Sequence, residues 1–248
     1  QTGNPYAGPA HPAWDLTGLL EGIQGVDGID RIRFASPHPR HVSARFLAAM
    51  ARLPKVCRHL HLPVQSGSTR VLEAMRRRYT RDSYLDLIAQ IRESLPDVAL
   101  STDMIVGFPG ESDADFDDTM TLTAAVRYHS MFSFKYSPRP NTLAEKRLAD
   151  DVSGEEKTRR IMALQALQRE IQTGLNEQML GTTVAVLVDA ASRRRDVELS
   201  GRTSSNVVVN LPGPAEWIGR TVPVRIERAG PHSVWGRIME HGTGVPRL

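Results

Sequence analysis

Apolar positions in the first 140 residues alternate between short runs and stripes of helical spacing. Arg31, Ile32, Arg33 and Phe34 read as a short strand that exits through Ala35, Ser36, Pro37, His38 and Pro39. Val42, Phe46, Ala49, Met50 and Leu53 then line one face of a helix. A second strand is expected over residues 59–64, with Gln65, Ser66, Gly67 and Ser68 as its polar exit and Ser68 as a cap for the helix carrying Val71, Leu72 and Met75. Another helix starts near Thr80 and faces inward with Tyr84, Leu87, Ile88 and Ile91. Residues 98–106 form a third strand ending in Gly107, Phe108, Pro109, Gly110 and Glu111, after which Ser112 and Asp115 start a helix with Phe116 and Met120 inward. Residues 131–136 make a fourth strand.

Strands separated by helices at this rhythm predict βαβ units and a parallel sheet, and four of them make half a barrel. Ligands in such folds sit at the carboxyl ends of the strands, where the Pro-His, Gln-Ser-Gly-Ser, Gly-Phe-Pro-Gly-Glu and Tyr-Ser-Pro-Arg-Pro segments fall. From Ser153 the rhythm changes. Ser153 and Glu156 read as a capping box, and Ile161, Leu164, Ile171, Leu175 and Met179 form the stripe of a long helix. Beyond Gly181 five short strands follow, over residues 184–188, 197–199, 207–211, 222–227 and 234–239, divided by Gly, Pro and Arg. The expected fold is α/β, with half of a TIM-like barrel over residues 1–150, a connecting helix over 151–180 and a small all-β barrel over 181–242.

Composition adds three constraints. No apolar run reaches the roughly 18 residues that span a bilayer, and the first residues lack the basic-then-apolar order of a signal peptide. The net charge of +3 is unevenly placed: residues 1–180 carry 22 basic and 22 acidic side chains, whereas residues 181–248 carry 9 Arg, no Lys and 6 acids. An Arg-only excess in a small β module suits either a solvated face or a nucleic-acid partner. The third constraint is Cys57, the one cysteine, which excludes an internal disulfide and suits a reducing cytoplasm.

The strand exits carry a resemblance. His61–Ser68 followed by Met75–Thr80, Thr102–Glu111 and Phe134–Pro140 resemble the radical-SAM methylthiotransferases, and Ser200–Asn206 resembles their RNA-binding TRAM domain. The likeness covers essentially the whole chain. It implies a radical-SAM barrel, S-adenosylmethionine and 4Fe-4S clusters as cofactors, the tRNA anticodon stem-loop as partner, and a cytoplasmic enzyme that is a monomer in intact form. The Gly201, Arg202, Thr203 and Asn206 pattern points to the branch that adds a methylthio group to N6-isopentenyladenosine beside the anticodon. Sister branches act on threonylcarbamoyladenosine or a ribosomal protein.

Family members hold their clusters with three cysteines of an N-terminal domain and a Cys-x-x-x-Cys-x-x-Cys loop after the first barrel strand. Neither set is among these residues, and Cys57 cannot supply the three or four thiolates a cluster needs. Its simplest role is a small buried hydrophobe. Gln1–Tyr6 resembles the family segment at the end of the second barrel strand, so the expected piece is the rear of the enzyme, inactive alone, with no catalytic or metal-ligating residue. A stand-alone RNA-binding adaptor and one half of a split enzyme are the other readings.

By resemblance, the S-adenosylmethionine contacts fall to Gln65, Ser66, Asp103, Ile105, Gly107 and Arg78. Gly107 would let an adenine edge approach the main chain, or simply make a turn. Gln65 and Ser66 offer donors and acceptors, or cap the next helix. Asp103 interrupts an apolar strand and needs a partner, for which Arg78 is the candidate. His38 lines the pocket or fixes its loop. RNA contacts fall to Arg139, Arg193, Arg194, Arg195, Arg202 and Asn206, with phosphate pairing by arginine and a base edge or loop role for asparagine. Arg139 is equally suited to the S-adenosylmethionine carboxylate, and Asn141 after it tolerates a left-handed turn. Trp217 and Trp235 are the large aromatics nearby, Trp235 being expected in the core because it lies in a strand.

Overall fold

A computed structural model describes residues 6–8, 11–35, 37–191 and 198–239. Two compact units, Gln1–Ile171 and Gln172–Leu248, divide the chain within one helix. Among the described residues no helix is long and apolar enough to cross a membrane.

The first unit opens with an antiparallel pair, β1 (Tyr6–Gly8) and β2 (His11–Trp14), then α1 (Leu16–Gln24) capped by Asp15. The strand expected at Arg31–Phe34 reduces to a single parallel bridge between Ile32 and Val56. Phe34 instead packs edge-on against Phe46, with ring centroids 5.6 Å apart, and the chain tightens into a 3-10 turn at Pro39–His41. After α2 (Ala44–Arg52), capped by Ser43, comes the parallel sheet of β3 (His59–His61), β4 (Ala99–Val106) and β5 (Ser130–Lys135). Its connections are α3 (Thr69–Ala74) and α4 (Arg81–Ser94) between β3 and β4, and α5 (Asp113–Val126) between β4 and β5. Short α6 (Leu143–Arg147) and long α7 (Gly154–Glu177) follow.

The expected caps form. Ser68, Thr80 and Ser112 each accept from a backbone N–H of the first turn, and Ser83 and Asp115 complete reciprocal capping boxes. Ser153 accepts from the N–H of Glu156 at 3.1 Å, but the Glu156 carboxylate turns to Arg159 and Arg160, which push its pKa down to about 2.

The sheet's two faces differ in kind. Leu60, Leu62, Val64, Leu100, Met104 and Val106 point to the helices and are buried with Met50, Ile91, Phe116 and Leu122. β3 ends at His61, shortly before Pro63, which can donate no ladder hydrogen bond. The Thr102 hydroxyl bridges the gap, accepting from Val64 N–H and donating to the Leu62 carbonyl, both at 3.0 Å. Buried Tyr84 donates to the same carbonyl at 3.1 Å and accepts from Tyr128 at 3.0 Å; burial pushes both phenols up. The opposite face shows His59, His61, Asp103 and Ile105, together with Phe132 and Phe134, which are 58% and 51% exposed. Cys57 is buried beside this sheet, at 2% exposure.

The second unit contains a closed five-stranded barrel of β6 (Thr183–Ala191), β7 (Glu198–Arg202), β8 (Val208–Pro212), β9 (Thr221–Ala229) and β10 (Val234–Ile238), in the order β10-β8-β7-β6-β9. All pairs are antiparallel except β8 with β10, which closes the barrel. Alternate residues fill it: Val186, Val188, Leu199, Val209, Leu211, Val224, Ile226 and Val234. Gly236 sits against the Arg225 carbonyl so closely that a Cβ there would collide with it. Before the barrel, the buried Asn176 amide donates to the Gly230 carbonyl at 2.6 Å.

Candidate functional site

A cleft of about 790 Å³ opens where β4 and β5 end. Gln65, Asp103, Ile105 and Phe134 contribute its sheet side, Phe108 and Tyr136 an aromatic wall, and Arg76, Arg77, Lys135, Arg139 and Arg147 its cationic lining. Asp103 is the one carboxylate among the lining residues. Phe108 and Tyr136 meet edge-on at 5.1 Å, and the Lys157 ammonium lies 5.4 Å from the Tyr136 ring centroid.

Asp103 pairs with His61 at 3.4 Å, not with Arg78. The two occupy adjacent parallel strands on the same face, whereas Arg78 is exposed beyond a left-handed turn and outside the cleft lining. His61 Nδ1 meets the Ser101 hydroxyl at 2.8 Å, and His59 Nε2 meets it at 3.0 Å, so a polar chain runs along the open face to the cleft. Edge-on contact with Phe132 at 6.0 Å flanks His61.

The other residues implied by resemblance divide by position. Gln65 has a left-handed backbone, φ 78°, that keeps its main chain in the ladder with Met104 while its side chain lines the cleft. Ser66 is fully buried and its hydroxyl accepts from Ser68 N–H at 3.2 Å, an internal turn contact away from the cleft. Ile105 lines the cleft and Gly107 does not. Gly107 is left-handed, φ 69°, with Lys157 packed where a Cβ would stand. Its N–H donates to Glu111 Oε1 at 2.8 Å, so the main chain there is engaged internally. Glu111 itself is buried against Arg160, which donates to its carboxylate at 2.8 Å. Burial pushes the Glu111 carboxyl up, opposed by Gly107 and Arg160. His38 caps the 3-10 turn, accepting from Arg40 N–H at 3.3 Å, and packs on His41 and Tyr79. These contacts fix the loop, and burial, then Arg77, lowers the pKa of the ring.

Sequence reasoning missed most of the cationic lining. The exit of α3 is a Schellman turn: Arg77 N–H reaches the Leu72 carbonyl and Arg76 N–H the Glu73 carbonyl, both at 2.9 Å. Arg76 stands at the left-handed position with φ 57°, where glycine is the unstrained residue and any other costs about 1 kcal/mol. Arg77 is held by the Tyr79 hydroxyl at 3.2 Å and the Pro63 carbonyl at 3.3 Å. No described residue pairs with the guanidinium of Arg76, Arg139 or Arg147. The Met75–Thr80 run was visible, but its meeting with Arg139 and Arg147 depends on tertiary folding.

In the second unit Arg202 approaches the Asn206 carbonyl and Oδ1 at 3.4 Å and Asp189 at 3.7 Å, while Asn206 is left-handed, φ 68°. These two residues therefore brace the β7–β8 turn. Arg193, Arg194 and Arg195 lie outside the described residues. Trp235 is not a core residue: buried Val234 and Gly236 flank it, so strand alternation turns it outward. Its ring lies 4.1 Å from the Arg228 guanidinium and 5.7 Å from that of Arg237, and its indole N–H donates to Glu198 at 3.2 Å. Trp217 packs against the barrel core and over Gly213.

An iron–sulfur cluster does not fit these residues. The single cysteine is buried, and among the described residues no group of three or more His, Cys, Asp or Glu side chains is arranged to hold a metal. A nucleoside-bearing ligand does fit the cleft, whose aromatic wall and Gln65 side chain, unpaired among the described residues, offer stacking and hydrogen bonding.

The Radical SAM superfamily matches residues 3–123 and the TRAM domain matches residues 177–239. The tRNA-2-methylthio-N(6)-dimethylallyladenosine synthase of Burkholderia thailandensis is 44% identical over 247 residues, covering 96% of this chain and 54% of that protein. The protein of the same name from Geobacter metallireducens is 42% identical over 238 residues, covering 96% and 54%. The chain thus spans about half the length of the curated relatives it matches. Among solved structures, coproporphyrinogen III oxidase from Escherichia coli overlays with a TM-score of 0.48 at 14% identity, over 77% of this chain and 45% of that one. Over residues 3–123 the chain is thus similar to the Radical SAM superfamily, and over residues 177–239 to the TRAM domain.

Proposed function

We propose that this chain forms the substrate-facing wall and RNA-binding module of a tRNA methylthiotransferase acting on N6-isopentenyladenosine beside the anticodon. The observation that carries the reading is the cationic, aromatic-lined cleft at the strand ends. The two domain matches and the names of the relatives support it. S-adenosylmethionine, when bound, supplies the adenosyl radical and the methyl group. Gln65 and Asp103 would orient it through hydrogen bonds, with Ile105 beside them. Phe134 and Tyr136 would exclude water and offer faces to the target base. Cluster ligands must come from outside these residues, so no radical step is assigned to a side chain of this chain.

Two measurements test the reading. The chain should bind an anticodon stem-loop more tightly than a DNA duplex of equal length, and affinity should fall steeply with salt. The enzyme expressed from its whole coding region, purified without oxygen, should convert isopentenyladenosine in tRNA to its methylthio derivative by mass spectrometry. Modification of threonylcarbamoyladenosine or of a protein instead would redirect the assignment to a sister activity. No preference for RNA would remove the function.

A further inference from the structure

We propose that Arg76, Arg139 and Arg147 form an RNA-backbone clamp on the first unit, gripping phosphates that flank a nucleotide inserted in the cleft. The proposal rests on the RNA-modifying reading above and adds a phosphate subsite apart from the β barrel. Three observations carry it. The guanidinium groups of these arginines have no partner among the described residues, although all line one cleft. Among the described lining residues one carboxylate, Asp103, which contacts His61, stands against Arg76, Arg77, Lys135, Arg139 and Arg147, so the cleft is strongly positive. Arg76 keeps a left-handed backbone at a position where glycine would close the same Schellman turn without strain. A strained residue whose guanidinium has no hydrogen bond or ion pair among the described residues points to a role for that side chain outside the fold.

The charge count identifies the ligand class. A single carboxylate is satisfied by one bidentate arginine. Three free guanidiniums, with Arg77 and Lys135 beside them, call for several negative charges at intervals, as along a sugar–phosphate chain. The exposed Phe134 and the Phe108–Tyr136 wall provide faces for an unstacked base, which favours an RNA loop over a duplex.

The test uses the 248-residue chain and a fluorescently labelled RNA hairpin with an adenosine-rich loop, titrated from about 50 to 200 mM salt. Arg76→Gly should melt roughly 2–4 °C above the parent, because the turn is relieved. It should nevertheless bind the hairpin about 3- to 10-fold more weakly, with a salt slope smaller by about 0.7. Arg139→Gln and Arg147→Gln, which leave the backbone alone, should weaken binding to a similar degree without moving the melt. A full-affinity, full-slope result for all three variants would overturn the clamp while leaving RNA recognition to the β barrel. A parent chain that binds no RNA would overturn both the clamp and the function on which it rests.

Discussion

Arg160 occupies the interior of the first unit with side-chain exposure of 4%, and its charge is met on several sides. It donates to Glu111 at 2.8 Å, to Glu156 at 2.6 Å and to Asp113 at 2.9 Å, and these carboxylates raise its pKa against the opposing effect of burial. Removing it leaves Glu111 buried without its cation. Arg160→Leu should therefore cost about 3–5 kcal/mol in denaturant melts. The pair Arg160→Leu with Glu111→Leu should recover most of that loss, because two apolar side chains leave no stranded charge. Asp115 is the contrasting carboxylate. Burial opposes its ionisation, but hydrogen bonds from Arg70, Ser112 and Ser68 prevail and hold its pKa below the usual range. Its contribution to stability is complete above the unfolded value of about 4 and is lost as pH falls through the lower folded value. Asp115→Asn should lower the melting temperature at neutral pH, and the gap to the parent should narrow in melts below about pH 4.

At the level of elements, local chemistry wrote the helix starts plainly. Ser68, Thr80 and Ser112 stand where a hydroxyl beside an apolar stripe says they should, and Ser112→Ala should cost about 1 kcal/mol by thermal or chemical denaturation. The β-barrel strands were equally legible because Val and Ile recur at alternate positions between turn residues. α1 was not, since Gly18 and Gly22 dilute its helical pattern and its stability comes from packing against α2. The Arg31–Phe34 segment misled in the other direction: its composition suits a strand, but one bridge at Ile32 is all the described neighbours provide. Trp235 shows the limit of strand membership as a guide to burial, because its neighbours, not its own bulk, decide which way it points. The cleft was half legible. Gln65 and Arg139 lie at predicted strand exits and Asp103 and Ile105 within a predicted strand, while Arg147 and Phe134 join them only once the sheet and α6 are folded.

On the scale of the whole molecule, the open sheet face places Phe132 and Phe134 in solvent beside the His59–Ser101–His61 chain. Exposed aromatics on a sheet favour self-association. Phe132→Ser should raise the protein concentration at which light scattering begins, without lowering the melting temperature. The division of the chain has a different consequence. α7 is one uninterrupted helix, yet the boundary between compact units falls at Ile171 and Gln172, and Asn176 beyond it holds the Gly230 carbonyl. The all-β module therefore owns roughly one and a half turns of helix. As an exchangeable cassette, it would have its seam inside a helix, not at the first strand. A gene fusion joined at Gly181 would leave the Asn176 anchor behind with the donor. One joined at Gln172 would carry it along, and the helical phase across the joint would have to be kept.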